Sequence, residues 1–227
     1  MRLVLNVQQD MTDTTNTTAD LTEFEAEFAH QLALAPEAQE LLFRSARTAN
    51  TFTDEPVSDE QLRAIYELIK YAPTAANSQP LRIQFLRTAE AKDRLIPLLG
   101  EGNQAKTAAA PLVAILAADT DFHEELPKVF PHAGAAYKEM YASNDDARIG
   151  SARLSAALQV GYFILGVRAA GLAAGPMAGF DAEAVSNEFF GDGKHQVLVI
   201  VNIGKPGENA FFDRNPRLSF DEVASVI

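Results

Sequence analysis

An α+β fold, a sheet covered by helices, is predicted for this chain by three observations. Helical apolar periodicity comes first, and strand candidates alternate with helices only afterwards, with no internal repeat. Two runs, residues 111–118 and 196–203, are almost continuously apolar, the mark of strands buried on both faces. Between them, residues 149–170 form a helix-length segment that is apolar on most sides, which fits a core or an interface.

Residues 1–20 read as a flexible tail, because the stretch 12–20 is Thr, Asp, Asn and Ala without a periodic apolar face. Residues 21–227 then make a single domain opened by a helical arm over 21–43. Thr22 and Glu25 have capping-box spacing, and Phe24, Phe28 and Leu32 form a helical stripe. A second helix follows Pro36, with Leu41, Leu42 and Phe43 apolar. Ser58 and Gln61 repeat the capping box ahead of Leu62, Ile65, Tyr66 and Ile69; Pro73 ends that helix near Tyr71 by disfavouring a helical Ala72. Ile83, Phe85 and Leu86 suggest a strand, and residues 88–99 a helix stopped by Gly100. The acidic stretch 119–146 reads as short helices. Residues 172–180 are extended or turn-like, with Gly175, Pro176 and Gly179 as breakers, and Asp181 caps a short helix.

The charge is −12, from 31 acidic and 19 basic residues. Such a surface repels nucleic acid and anionic lipid, so any bound phosphate needs a local basic cluster working against the global field. Cysteine is absent, which excludes disulfides, thiolate catalysis and Cys-based metal sites. No run approaches the ~18–20 apolar residues of a membrane span, and the opening Met-Arg-Leu-Val-Leu-Asn-Val is short for a signal peptide. The expected location is the cytoplasm.

The usual amino-acid catalysts are missing as well. His30, His123, His132 and His195 have no metal-ligand spacing, and His123 with Glu124 and Glu125 reads as a solvated charge run, so no metal is expected. There is no P-loop and no Gly-x-Ser-x-Gly elbow, and Gly191-Asp-Gly193 reads as a turn. An enzyme of this composition borrows its chemistry from a cofactor.

Four places have the residue types to hold one. They are Arg44-Ser-Ala-Arg47-Thr48-Ala-Asn50; the loop Pro73-Thr-Ala-Ala-Asn-Ser-Gln-Pro80; Gly102-Asn103-Gln-Ala-Lys106-Thr; and Gly175-Pro-Met-Ala-Gly179-Phe-Asp181, followed by Arg214-Asn-Pro-Arg217-Leu-Ser-Phe220. Taken singly, each has a plain structural use: Arg44 and Arg47 as helix-end charges, Asn77 as a turn residue, Asn103 as a helix cap, Lys106, Arg214 and Arg217 as solvated charges. In this order and spacing, from Arg44 to the C-terminus, they resemble the nitroreductase family of FMN enzymes, most closely its malonic semialdehyde reductase subgroup.

The resemblance implies a nitroreductase-like central mixed sheet in an intertwined homodimer with shared active sites. It implies FMN as cofactor and NAD(P)H as electron donor, with ping-pong hydride transfer to a small electrophile through the flavin and no protein residue assigned as the catalyst. Arg47, Thr48, Asn50, Arg214 and Arg217 would meet the FMN phosphate, for which guanidinium forks and hydroxyls are suited. Asn77 and Asn103 would serve the ring's polar edge, with Lys106 near its N1–O2 side. The loop residues Pro73, Thr74, Ala75, Asn77 and Gln79 would come from the partner subunit, and Pro176, Met177, Ala178 and Gly179 would lie along the ring. The subgroup implies reduction of malonic semialdehyde to 3-hydroxypropionate in pyrimidine degradation, with Arg82 as the candidate anchor for the substrate carboxylate. The same site also suits a broad nitro or quinone reductase, and a flavin-binding dimer without turnover is the alternative outside enzymes. The sequence departs from the family at Asn50 and Ala46, where basic residues are usual, and at Leu81-Arg82, where an aromatic is usual.

Overall fold

The computed structural model describes residues 31–227. The expected tail over 1–20 and the helix start at Thr22, Phe24, Glu25 and Phe28 lie outside the described residues. The chain divides into two compact units, residues 1–45 and 46–227. In the first, Pro36–Gln39 forms α1, with Pro36 in the first turn where its missing N–H costs nothing. It passes into a π-helical turn, Glu40–Arg44, in which Arg44 donates to Gln39 Oε1 at 2.9 Å.

In the second unit α2 spans Asp59–Ile69. The Ser58 hydroxyl accepts from the Gln61 N–H while the Gln61 side chain accepts from the Ser58 N–H, so the capping box read from the sequence is formed. Strand β1 is Leu81–Leu86. Helix α3, Ala89–Leu95, is capped by Thr88 and gives way to a 3₁₀ turn around Pro97, shorter than the helix expected over 88–99. Helix α4, Glu101–Ala109, takes in the Gly102–Lys106 motif, which the sequence had not assigned to an element. Strand β2, Leu112–Asp119, is buried throughout. Short helices α5 (Leu126–Val129) and α6 (Gly134–Ala142) follow in the acidic stretch. Then come α7 (Asp145–Ala169), β3 (Ala173–Met177), α8 (Ala182–Phe189, capped by Asp181), β4 (His195–Gly204) and α9 (Phe220–Val223).

The sheet has the order β1-β2-β4-β3, and all three ladders are antiparallel. A mixed sheet was expected; among the described residues parallel pairing is confined to the bridge between Thr48 and Ala174. Alternate residues of the strands face opposite layers. Leu112, Ala114, Leu116, Val201 and Ile203 pack with Ile65 and Ile69 of α2 and Val160, Phe163 and Val167 of α7. Val113, Ile115, Ala117 and Ile200 pack with Leu95, Leu99, Met177, Val185 and Phe189 on the other side. Phe163 is fully buried, and a side chain of that kind contributes ~1.5–3 kcal/mol.

Helix α7 has two unlike faces. Ala152, Ala156, Gln159, Val160, Phe163 and Val167 are buried against the sheet. Leu154, Leu158 and Tyr162, on the other side, are exposed by 67%, 47% and 43%. Among the described residues no helix is long and apolar enough to cross a membrane.

Candidate functional site

The candidate residues fall into three clusters, and strand β3 organises two of them. At its start, Thr48 bridges Ala174 and the Ala49 N–H donates to the Ala174 carbonyl at 3.0 Å. The same segment is held from the C-terminal side: Asn50 N–H donates to Ala210 at 2.9 Å, and the Thr51 hydroxyl to Glu208 at 2.6 Å. Arg47 donates to the Phe212 carbonyl and Arg214 to the Ala46 carbonyl at 3.4 Å. Residues from both ends of the second unit therefore gather Arg47, Thr48, Asn50 and Arg214 at one pole. Arg47 spends one N–H on Phe212, and the rest of its five-donor fork has no partner among the described residues. Arg217 is not brought into this cluster; its exposed guanidinium donates to Asn215 and Pro216 beside it.

The second cluster lies where β3 runs out. Leu99 bridges Phe180, and the Gly100 N–H donates to the Gly179 carbonyl at 2.9 Å. Asn103 does not cap α4; its side-chain amide donates to the same Gly179 carbonyl at 2.9 Å. This tie requires glycine at 179, since a Cβ there would stand 2.9 Å from Asn103 Nδ2. Lys106, one turn further along α4, is half-buried and makes no hydrogen bond or ion pair among the described residues. Pro176 and Met177 end β3, and Ala178 and Gly179 are exposed. From Ala174 to Gly179 the extended chain covers at most roughly 16 Å, so the two clusters share one sheet edge.

The third cluster stands at the opposite edge. The loop before β1 makes a tight 3₁₀ turn with Ala76 and Asn77 both at φ 52° and Gln79 at 45°. Asparagine tolerates that left-handed region better than most residues, while for Ala76 and Gln79 it is strained. The turn is held from outside. Ala75 N–H donates to Ser155 Oγ at 3.3 Å, Gln79 N–H to Thr74 Oγ1 at 3.2 Å, and the Asn77 amide to the Val129 carbonyl at 2.7 Å. Pro73 is exposed at its start. Arg82 is engaged in the same framework, pairing with Asp119 at 2.6 Å and donating to the Gln79 and Leu81 carbonyls at 2.9 and 3.1 Å. Beside it a groove of about 1010 Å³ runs between α2, β1 and α7, lined in part by Tyr66, Lys70, Gln79, Arg82, Lys128 and Phe163. Three strand spacings separate β1 from β3, roughly 14 Å at ~4.8 Å each. Within one chain, Asn77 and Gly179 belong to different places.

The sequence reading missed the carbonyls of Ala46 and Phe212, which no side-chain pattern marks. It also missed Thr107 and Asn202, both fully buried, with Asn202 Nδ2 donating to Thr107 Oγ1 at 3.1 Å. Asn202 did carry a signal, being a polar residue inside the apolar run 197–203 of its strand.

The nitroreductase family model matches residues 43–205. A Streptomyces coelicolor protein provisionally named an NADH dehydrogenase/NAD(P)H nitroreductase is 60% identical over 196 residues, covering 86% of this chain and 99% of its own. A similarly named protein of Ralstonia nicotianae is 47% identical over 195 residues, covering 86% and 98%. Among solved structures, a provisionally named nitroreductase of Exiguobacterium sibiricum in complex with FMN superposes with a TM-score of 0.75 at 21% identity, covering 85% of this chain and 98% of that one. A Bacillus subtilis nitroreductase structure gives 0.74 at 24% identity, covering 89% and 100%. With a family match over most of its length and relatives aligned nearly end to end, this chain belongs to the nitroreductase family.

Proposed function

We propose that the protein is an FMN-dependent NAD(P)H oxidoreductase reducing nitro compounds or quinones, as a cytoplasmic, intertwined homodimer whose two sites each take a loop from the partner subunit. The observation that carries this reading is the division of labour across the sheet: a basic pole and a backbone pole share the β3 edge, while the Asn77 loop stands at the other edge.

The residues present fit FMN. A phosphate suits the uncommitted Arg47 fork with Arg214 beside it, and Thr48 and Asn50 add polar groups at the same pole. A flat ring suits the exposed backbone at Ala178 and Gly179, where no Cβ stands at 179 and Asn103 holds the carbonyl in place. Bound there, FMN supplies hydride transfer, taken from NAD(P)H in one half-reaction and given to the acceptor in the next. Lys106, half-buried and without a partner among the described residues, offers positive charge beside the ring pole. Arg217 would join the phosphate pole from the exposed C-terminal segment. The partner's loop, carrying Pro73, Thr74, Ala75, Asn77 and Gln79, would close the ring pole. The exposed apolar face of α7 gives the dimer a surface to bury. The names of the relatives support NAD(P)H as donor, and the FMN held by the Exiguobacterium sibiricum neighbour supports the cofactor.

The narrower reading, malonic semialdehyde reduction in pyrimidine degradation, needs a cation for the substrate carboxylate. Arg82 would have to give up Asp119 to serve, so the geometry favours the broader acceptor range. The purified protein is expected to be yellow, to bleach with NADH or NADPH under argon, and to regain colour with a quinone or nitroaromatic. A colourless protein, or a coloured one that no nicotinamide reduces, would refute the reading; the latter outcome would favour a non-catalytic flavin binder.

A further inference from the structure

We propose that the buried Thr107–Asn202 pair is a positioning device for the ring pole: it fixes the rotation of α4 against β3 and β4, and so sets where Asn103 and Lys106 stand relative to the Gly179 backbone. The inference rests on the FMN reading above and adds to it two residues outside that site.

Asn202 lies in β4 directly opposite Gly175 of β3 and Val113 of β2. Its neighbours on the same sheet face are apolar, among them Val113, Ile115, Met177 and Ile200. An amide is costly there unless it is used, because a buried polar group must replace the water it gave up. Asn202 Nδ2 donates to Thr107 Oγ1 at 3.1 Å, and the Thr107 hydroxyl turns on to Met177 Sδ at 3.7 Å. Asn202 Oδ1 has no partner among the described residues, so the one hydrogen bond of this side chain there is the directed contact to Thr107. One short chain of polar atoms therefore links β4, α4 and the last residue of β3.

The geometry of α4 turns that link into a positioning effect. Asn103 and Thr107 are four residues apart and share a helix face, with Lys106 beside them. Holding Thr107 to β4 fixes the azimuth of the helix, and the Asn103 amide then meets the Gly179 carbonyl. An apolar pair at 107 and 202 could fill the same volume but would lack a directed contact, since the hydrophobic effect is not directional.

The test uses the full-length protein with Thr107→Val, Thr107→Ser and the double variant Thr107→Val/Asn202→Leu. Four quantities are read: Tm, FMN Kd by fluorescence quenching, the midpoint potential of bound flavin, and hydrogen exchange at the Gly100 and Asn103 amides without flavin. Thr107→Val should weaken FMN binding at least ~5-fold, shift the potential and speed exchange at both amides, whereas Thr107→Ser should stay near wild type. The double variant should recover Tm without recovering Kd, potential or protection. Recovery of all four in the double variant, or an unchanged Kd and potential in Thr107→Val, would overturn the proposal and leave the FMN reading standing. A wild-type protein that takes up no FMN would overturn both.

Discussion

At the scale of single residues, the question is which contacts are electrostatic and which are directional. Arg47 keeps most of its guanidinium uncommitted, so Arg47→Ala should remove a charge-assisted phosphate contact of ~1.5–3 kcal/mol, about 10- to 100-fold in FMN affinity. Asn77→Ala should also weaken binding, through lost amide contacts to the ring. Raising salt should lower FMN affinity most in proteins that retain the phosphate contact, and Asn77→Ala should therefore keep the wild-type salt dependence while Arg47→Ala flattens it. Titrations in a salt series check this, and parallel curves for both variants would remove Arg47 from the phosphate pole. Arg82 behaves differently because its partner is the buried end of Asp119, whose side chain is only 13% exposed. Arg82→Leu removes the cation paired with that carboxylate, leaving it the Asp121 N–H, and is expected to lower Tm while changing KM for a carboxylate acceptor and a neutral quinone alike. A KM increase confined to the carboxylate acceptor would restore Arg82 as a substrate anchor.

At the scale of elements, α7 is the organising piece, and its two faces make opposite demands. Toward the sheet it approaches α2 so closely that a Cβ at Gly166 would stand 2.4 Å from Ile69 Cγ2. Gly166→Ala should therefore cost ~1–3 kcal/mol by overpacking. Gly150→Ala, in the same helix with nothing within 4 Å of its Cβ, should gain ~0.5–1 kcal/mol from helix propensity. Chemical denaturation of the two variants gives opposite signs if the packing is as described. On its outer face, Leu158→Asp places a charge amid Leu154 and Tyr162. Equilibrium sedimentation should show a monomer, and flavin should be lost with it, because the Asn77 loop has no route to the β3 edge of its own chain. A flavin-loaded monomer would refute the shared site.

At the scale of the whole molecule, acid sensitivity is set by individual paired carboxylates, because acidification first reduces the charge of −12 toward neutrality near the sequence pI of about 4.7. Asp121 is held below its ordinary carboxylate value chiefly by its hydrogen bond from Lys194, at 2.9 Å, against a desolvation effect that opposes it. Asp192 is lowered chiefly by His195. A depressed folded-state pKa means the stabilisation is present above the unfolded value of ~3.9 and is lost as pH falls through the folded value. Thermal stability should therefore fall below about pH 4, and Asp121→Asn should flatten part of that slope. The whole assembly can be tested by mixing. Arg47→Ala and Asn77→Ala subunits, each poorly loaded as homodimers at limiting FMN, should regain one well-loaded site per mixed dimer, because in the proposed shared site the intact Arg47 of one would face the intact Asn77 of the other. No regain after subunit exchange would place both residues in one chain's site.

Local rules were sufficient for much of this molecule. The Ser58–Gln61 capping box, the Pro73 stop, the Asp181 cap and both buried strands are set by neighbours a few residues away, and the sequence alone determined them. The family motifs likewise named residues that the fold gathers in two groups along β3. Three things were decided only by tertiary structure. The sheet is antiparallel throughout its ladders because strand direction depends on how connections return, which periodicity does not encode. Helix α7 looked apolar all round, yet only packing against the sheet and α2 could say which side is covered. Arg82 and Asn103 were read by residue type, but their uses are fixed by Asp119 and Gly179, which are 37 and 76 positions away (119 − 82 and 179 − 103). A cation's partner is a matter of distance in space, and sequence reports only distance along the chain.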